Sequence, residues 1–112
     1  DSLQSERQVT LLELYGQVHE LYSLRQTAIE RYTVLEKQVI PALTDALKLT
    51  SDAYLEGRYG YLEYSAARAD LIQSKKSLID TAQNILKYNI KLETISAESI
   101  FIETSHTQGA DS

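Results

Sequence analysis

The sequence predicts an all-α fold, a long antiparallel helical hairpin of coiled-coil type, on three observations. Leu11, Leu14, Val18, Leu21, Arg25, Ala28, Tyr32, Leu35, Val39, Ala42, Ala46, Leu49 and Ala53 follow unbroken 3-4 spacing through the first half. Tyr64, Ala67, Leu71, Ser74, Leu78, Thr81, Ile85, Tyr88, Leu92 and Ile95 repeat that spacing in the second. Between them lies one glycine-rich break, Glu56-Gly57-Arg58-Tyr59-Gly60. A sustained 3-4 repeat keeps one helix face turned to a partner and predicts a left-handed supercoil.

The first helix is expected over residues 4–56, with Gly16 and Pro41 as its weak points. Pro41 has no N–H and should kink the helix near Val39 and Ile40. The heptad phase continues past it to Ala53, so a bend is expected and not a stop. At ~1.5 Å per residue, a helix of about 50 residues is roughly 75 Å long, too long for a compact globule of this chain length. Arg25 is the one charged residue in the first series. It reads as a register-setting polar residue, or as one whose stem packs while its head reaches water.

The turn is expected over residues 57–60. Gly57 stands where the left-handed residue after a helix C-terminus belongs, and Gly60 supplies a second permissive joint. So short a connection returns the next helix antiparallel to the first. That second helix is expected over residues 61–102. Its seam alternates large and small side chains, with Ala67, Ser74 and Thr81 leaving room for knobs from the facing helix. The stretch 105–112 has no periodicity and is expected to fray.

A second, partial stripe runs beside each seam. On the first helix it is Leu12, Tyr15, His19, Tyr22, Ile29, Ile40, Leu43, Leu47 and Tyr54; on the second, Leu62, Ala69, Ile72, Ile79, Leu86 and Ile90. Two seams per helix predict two neighbours per helix, as in a closed ring of helices or a four-helix bundle of dimerised hairpins. Stripes this long should drive self-association of the hairpin in isolation.

Composition narrows the function classes. Of 112 residues, one is Pro and four are Gly, which suits long helices. A net charge of −5 speaks against a nucleic-acid partner, which needs clustered Lys and Arg. The absence of Cys removes disulfide and thiolate chemistry. No apolar run approaches a membrane span, and the first residues lack the apolar core of a signal peptide. The helical repeat starts almost at once, as if within a longer protein. His19 and His106 are the only histidines, no paired His and Glu ligand motif occurs, and the carboxylates fall on outer faces beside Lys or Arg. No cofactor is expected, and an enzyme is the least supported class.

The turn itself is unusual. Tyr54, Tyr59, Tyr61 and Tyr64 crowd around Gly57, Arg58 and Gly60, with Asp52, Glu56 and Glu63 nearby. Tyr and Arg dominate binding hot spots, so the tip is a candidate contact or gating surface. The plainer alternative is that the rings cap the end of the two-helix core.

The run Ala53-Tyr54-Leu55-Glu56-Gly57-Arg58-Tyr59-Gly60-Tyr61-Leu62-Glu63-Tyr64 resembles the second periplasmic hairpin of TolC-like outer-membrane efflux channels. Val39-Ile40-Pro41-Ala42-Leu43 upstream, and Tyr88-Asn89-Ile90-Lys91-Leu92-Glu93-Thr94-Ile95 downstream, extend the likeness over residues 21–102. The Tyr-Gly-Tyr-Leu-Glu form of the turn is most similar to the heavy-metal efflux branch. Ser65-Ala66-Ala67-Arg68 and Ala97 depart from the usual Asp-Ala-Gln and Gly. The resemblance implies a homotrimer in the outer membrane of a Gram-negative bacterium, whose hairpins form a periplasmic α-barrel. It implies docking to a periplasmic adaptor and, through that, to an inner-membrane pump. Gly57, Arg58, Tyr59, Gly60, Tyr61 and Leu62 would lie at the entrance, with Tyr54 joining the docking surface. Asp52, Glu56, Arg58 and Glu63 would supply the polar links that resist opening. The rival expectation is a standalone coiled-coil scaffold or adaptor hairpin that mediates protein assembly.

Overall fold

The computed structural model describes residues 2–111, with side chains through Ser105, and every element among them is helical. Helix α1 spans Ser2–Val34, a π-helical turn spans Leu35–Val39, α2 spans Ile40–Leu55, and α3 spans Tyr61–Asp111. The fold is an all-α helical hairpin. Two compact units divide it: Asp1–Thr27 with Ile85–Ser112, and Ala28–Asn84.

In the first unit the antiparallel sense is fixed by two polar contacts. The Tyr15 hydroxyl donates to Glu103 Oε1 at 2.6 Å, and Arg25 Nε donates to Asn89 Oδ1 at 2.6 Å. Advancing from Tyr15 to Arg25 along α1 therefore moves backward along α3. The seam is the one that the 3-4 spacing predicts. Leu14 and Leu92 are buried; Leu11, Val18, Leu21, Ile85, Tyr88 and Ile95 are half-buried beside them. Arg25 sits in this seam with its charge directed at Asn89, which is the polar layer expected of it. Ser99 is also buried, and its hydroxyl has no hydrogen-bond partner.

In the second unit α3 keeps the same periodicity, with Leu71 and Thr81 buried and Tyr64, Ala67, Ser74 and Leu78 half-buried. The Thr81 hydroxyl is satisfied within its own helix, donating to the Ser77 carbonyl at 2.7 Å. No side chain among the described residues is fully enclosed, as expected where only two helices face each other.

The chain facing α3 departs from the sequence expectation. Ala28, Tyr32, Leu35 and Val39 follow the predicted seam, but Ala42 and Ala46 are exposed and Leu49 is 71% exposed. Ile40, Leu43, Leu47 and Thr50 are half-buried in their place, and of the predicted series beyond Pro41 only Ala53, beneath the turn, is buried. The heptad phase slips by one residue, and the π turn is the cause. The Ile40 N–H donates to the Leu35 carbonyl, five residues back, where an α-helix would use the fourth. One extra residue in a turn rotates everything downstream by about 100°. Pro41 follows at once, near the start of α2. In a continuous α-helix its ring would press on the Lys37 carbonyl, and the wider turn relieves that contact. The unbroken phase through Pro41 is thus corrected: the proline is met by a π turn, which hands the seam to the neighbouring stripe.

Helix α3 runs to Asp111, past the end near Ile102 that the loss of periodicity predicted. The expected fraying over 105–112 falls mostly on residues whose side chains, or in Ser112 whose structure, lie outside those described.

Candidate functional site

Helix α2 ends in a complete glycine cap. Gly57 has φ +78°, and its N–H donates to the Tyr54 carbonyl at 3.0 Å. The Arg58 N–H donates to the Ala53 carbonyl at 2.8 Å, the six-to-one bond of a Schellman motif. The Tyr59 N–H reaches the same carbonyl at 3.2 Å. Ala53, only 4% exposed, therefore lies under the turn, which is folded back over the end of α2.

Helix α3 starts where Gly60 accepts from the Tyr64 N–H at 3.4 Å. Glu63, the third residue of α3, curls back over this start. A Cβ built on Gly60 would lie 2.9 Å from Glu63 Oε2. That is the position of the acidic partner in a capping box, where the helix N-terminus favours negative charge.

Three of the four tyrosines form a cluster across the turn. Tyr54 stacks on Tyr64 with ring centroids 5.3 Å apart and planes inclined by 17°. Tyr61 meets Tyr54 edge-on at 6.2 Å and Tyr64 at 6.3 Å. Offset and edge contacts of this kind are worth ~0.5–1.5 kcal/mol per pair beyond area burial. The cluster ties the last turn of α2 to the first of α3. Tyr59 stands outside it, on the turn, and is 53% exposed.

The predicted site residues thus separate into two sets. Tyr54, Gly57, Gly60 and Tyr61 build the turn and its aromatic clamp, with Glu63 over the start of α3. Arg58, Tyr59 and Leu62 are presented outward, and Tyr61, though part of the clamp, is itself 63% exposed. Arg58 pairs with Glu56 in the same turn, Nη2 to Oε2 at 2.7 Å and Nε to Oε2 at 2.8 Å, with both side chains well exposed. A pair this exposed contributes little stability. Asp52 is exposed on α2. Two residues outside the docking and gating set belong to the site, and of these Tyr64 is already among the tyrosines read at the turn. Tyr64 is the ring on which Tyr54 stacks, and its seam position signalled that. Leu55, the last residue of α2, is 78% exposed and Leu62 is 81% exposed, so the tip carries apolar as well as aromatic surface.

Away from the tip, α3 carries an uncovered stripe: Ile72, Ile79, Leu86, Ile90 and Ile100 are each more than half exposed. Leu12, Tyr15 and Tyr22 are similarly open on α1. Open grooves line the first unit; one of about 440 Å³ is bordered by Leu21, Leu24, Ile90 and Ile95 with Glu20 and Lys91 at its edge. Among the described residues no three His, Cys, Asp or Glu side chains are grouped as a metal site, and no helix is long and apolar enough to cross a membrane. His19 is exposed on α1, and the side chain of His106 lies outside the described residues.

No family profile matches the chain, and neither a curated protein nor a solved structure is similar to it.

Proposed function

We propose that the chain is a periplasmic hairpin of an outer-membrane efflux-channel subunit, a passive export conduit whose tip docks a periplasmic adaptor and takes part in gating. The observation that carries this reading is the tip: a glycine-capped turn, clamped by three tyrosine rings, that presents Arg58, Tyr59, Leu55 and Leu62 outward. A rigid turn with an exposed aromatic, an exposed guanidinium and two leucines has the make-up of a binding hot spot. The sequence likeness to TolC-like channels supplies the partner class, an adaptor that links the conduit to an inner-membrane pump.

The uncovered stripe on α3 supports assembly into a larger helical array, which in this reading is a homotrimeric α-barrel.

A cysteine at Tyr59 should cross-link to the tip of a cognate adaptor, and a cysteine at the outward Lys75 should not. Failure at Tyr59, in a chain that retains its helicity, would refute adaptor docking. If the chain nonetheless sediments as a concentration-dependent oligomer, the scaffold hairpin becomes the better reading. A concentration-independent monomer would remove the assembly argument from both.

A further inference from the structure

The heptad of the sequence and the seam of the structure disagree on α2, and the disagreement points to a conformational device. Two phases are written into this helix. In the observed one, Leu43, Leu47 and Thr50 are half-buried. In the other, continuous with Leu35 and Val39, the seam would be Ala42, Ala46, Leu49 and Ala53; the first three are exposed here, while Ala53 is buried beneath the turn. Asp45, Lys48 and Asp52 are exposed and lie off both stripes, so neither phase brings a charge into the seam.

We propose that the π turn at Leu35–Val39 is a phase switch. In its second state the Ile40 N–H moves from the Leu35 carbonyl to that of Glu36, the turn becomes α-helical, and α2 rotates by about 100° about its axis. Leu49 then enters the seam between two alanines, whose small side chains allow close approach, while Leu43 and Leu47 turn outward. Tyr54 rides on the same helix. The rotation carries its ring off the face of Tyr64 and opens the aromatic clamp at the tip. Two features hold the observed state: Pro41, whose ring opposes the α-helical form, and the larger side chains of its seam. A partner that engages the tip, or that covers Leu43 and Leu47, prefers the second state and shifts the population by its differential affinity. The switch belongs to the helix and does not depend on the export reading.

The chain has no cysteine, so single ones report the phase. Leu47→Cys and Leu49→Cys are introduced separately into the full chain, and their maleimide-labelling rates compared. The residue at 49 should label at least about tenfold faster than that at 47, as a half-buried site opens rarely. Pro41→Ala should lower that ratio at least threefold, and so, from the packing side, should Leu43→Ala. Deleting Gln38 removes the extra residue and brings the Leu43 and Leu47 stripe into line with Leu35 in a plain α-helix. The deletion should keep the high ratio even when combined with Pro41→Ala. A ratio unmoved by both Pro41→Ala and Leu43→Ala, with helicity retained, would overturn the switch. So would a ratio that collapses on deleting Gln38.

Discussion

The contact between Arg25 and Asn89 offers the sharpest test of what holds the hairpin in register. Arg25 Nε donates to Asn89 Oδ1 at 2.6 Å from a half-buried position in an otherwise apolar seam. A hydrogen bond to a charged group contributes about 1.5–3 kcal/mol, and partial exposure here lowers that to roughly 1–2 kcal/mol. Asn89→Ala should therefore destabilise the chain by roughly 1–2 kcal/mol, because the guanidinium loses its acceptor but can still extend toward water along its stem. Arg25→Ala should cost at least as much, since it also removes the packed stem. Combining them should show a coupling of about 1 kcal/mol in a double-mutant cycle. Urea unfolding at one fixed chain concentration measures all four proteins, and fixing the concentration matters because association adds to apparent stability. A coupling within about 0.3 kcal/mol of zero would mean that the bond does not pin the register. Arg25→Leu with Asn89→Leu is the instructive opposite. It should be neutral or stabilising, as replacing a partly buried polar pair by packed apolar groups often is, while losing a polar layer that distinguishes this register from its neighbours.

Three further outcomes follow from the same geometry. Gly57→Ala should cost about 1–2 kcal/mol in thermal or urea unfolding, because a Cβ there meets no atom within 4 Å and the penalty is that of a left-handed backbone alone. Ser99→Ala should stabilise by about 0.5–1.5 kcal/mol, since it removes a buried hydroxyl without a partner and installs a better helix former; a destabilised variant would show that Ser99 has a hidden partner. The Tyr15 phenol is raised above its ordinary 10.0 by its hydrogen bond to Glu103, and Tyr32 likewise by Glu36. Each favours the protonated phenol in the folded state, so their contribution is complete below pH 10 and is lost as pH rises through the higher folded values. Unfolding followed from pH 9 to about 12 should show that loss, and Tyr15→Phe should flatten it.

Much of this fold is legible in the residues. The α3 seam follows its heptad from Tyr64 to Ile95, and Gly57 occupies the left-handed cap position that its place after Glu56 requires. Arg25 could be recognised as a polar layer, but not its partner, because Asn89 lies off the main α3 series and reaches Arg25 only through antiparallel pairing. The tyrosine cluster was visible as a local excess of rings, but not the order within it. That order depends on which rings the two helix ends bring face to face, and it left Tyr59 outside while drawing Tyr64 in. Least legible was the π turn. A proline preceded by an intact heptad predicts a bend with the phase preserved, whereas the chain widens one turn and changes phase.

That phase change alters what the second stripes mean. Read as sequence, Ile40, Leu43, Leu47 and Tyr54 lie beside the seam and call for a second neighbour along α2. After the π turn, Ile40, Leu43 and Leu47 are the seam, and the outward face of α2 is left with Ala42, Ala46 and Leu49. The case for a second neighbour therefore weakens on α2. It remains on α3, where Ile72, Ile79, Leu86, Ile90 and Ile100 stay uncovered, and on α1 at Leu12, Tyr15 and Tyr22. A neighbouring hairpin should accordingly bind through α3 more than through α2. Ile79→Glu should then dissolve any oligomer, while Ala46→Glu should leave it intact, a contrast that sedimentation at matched concentrations reads directly. Equal effects of the two substitutions would mean that both faces of the hairpin are covered, and that the ring-like arrangement first suggested by the paired stripes extends to α2 after all.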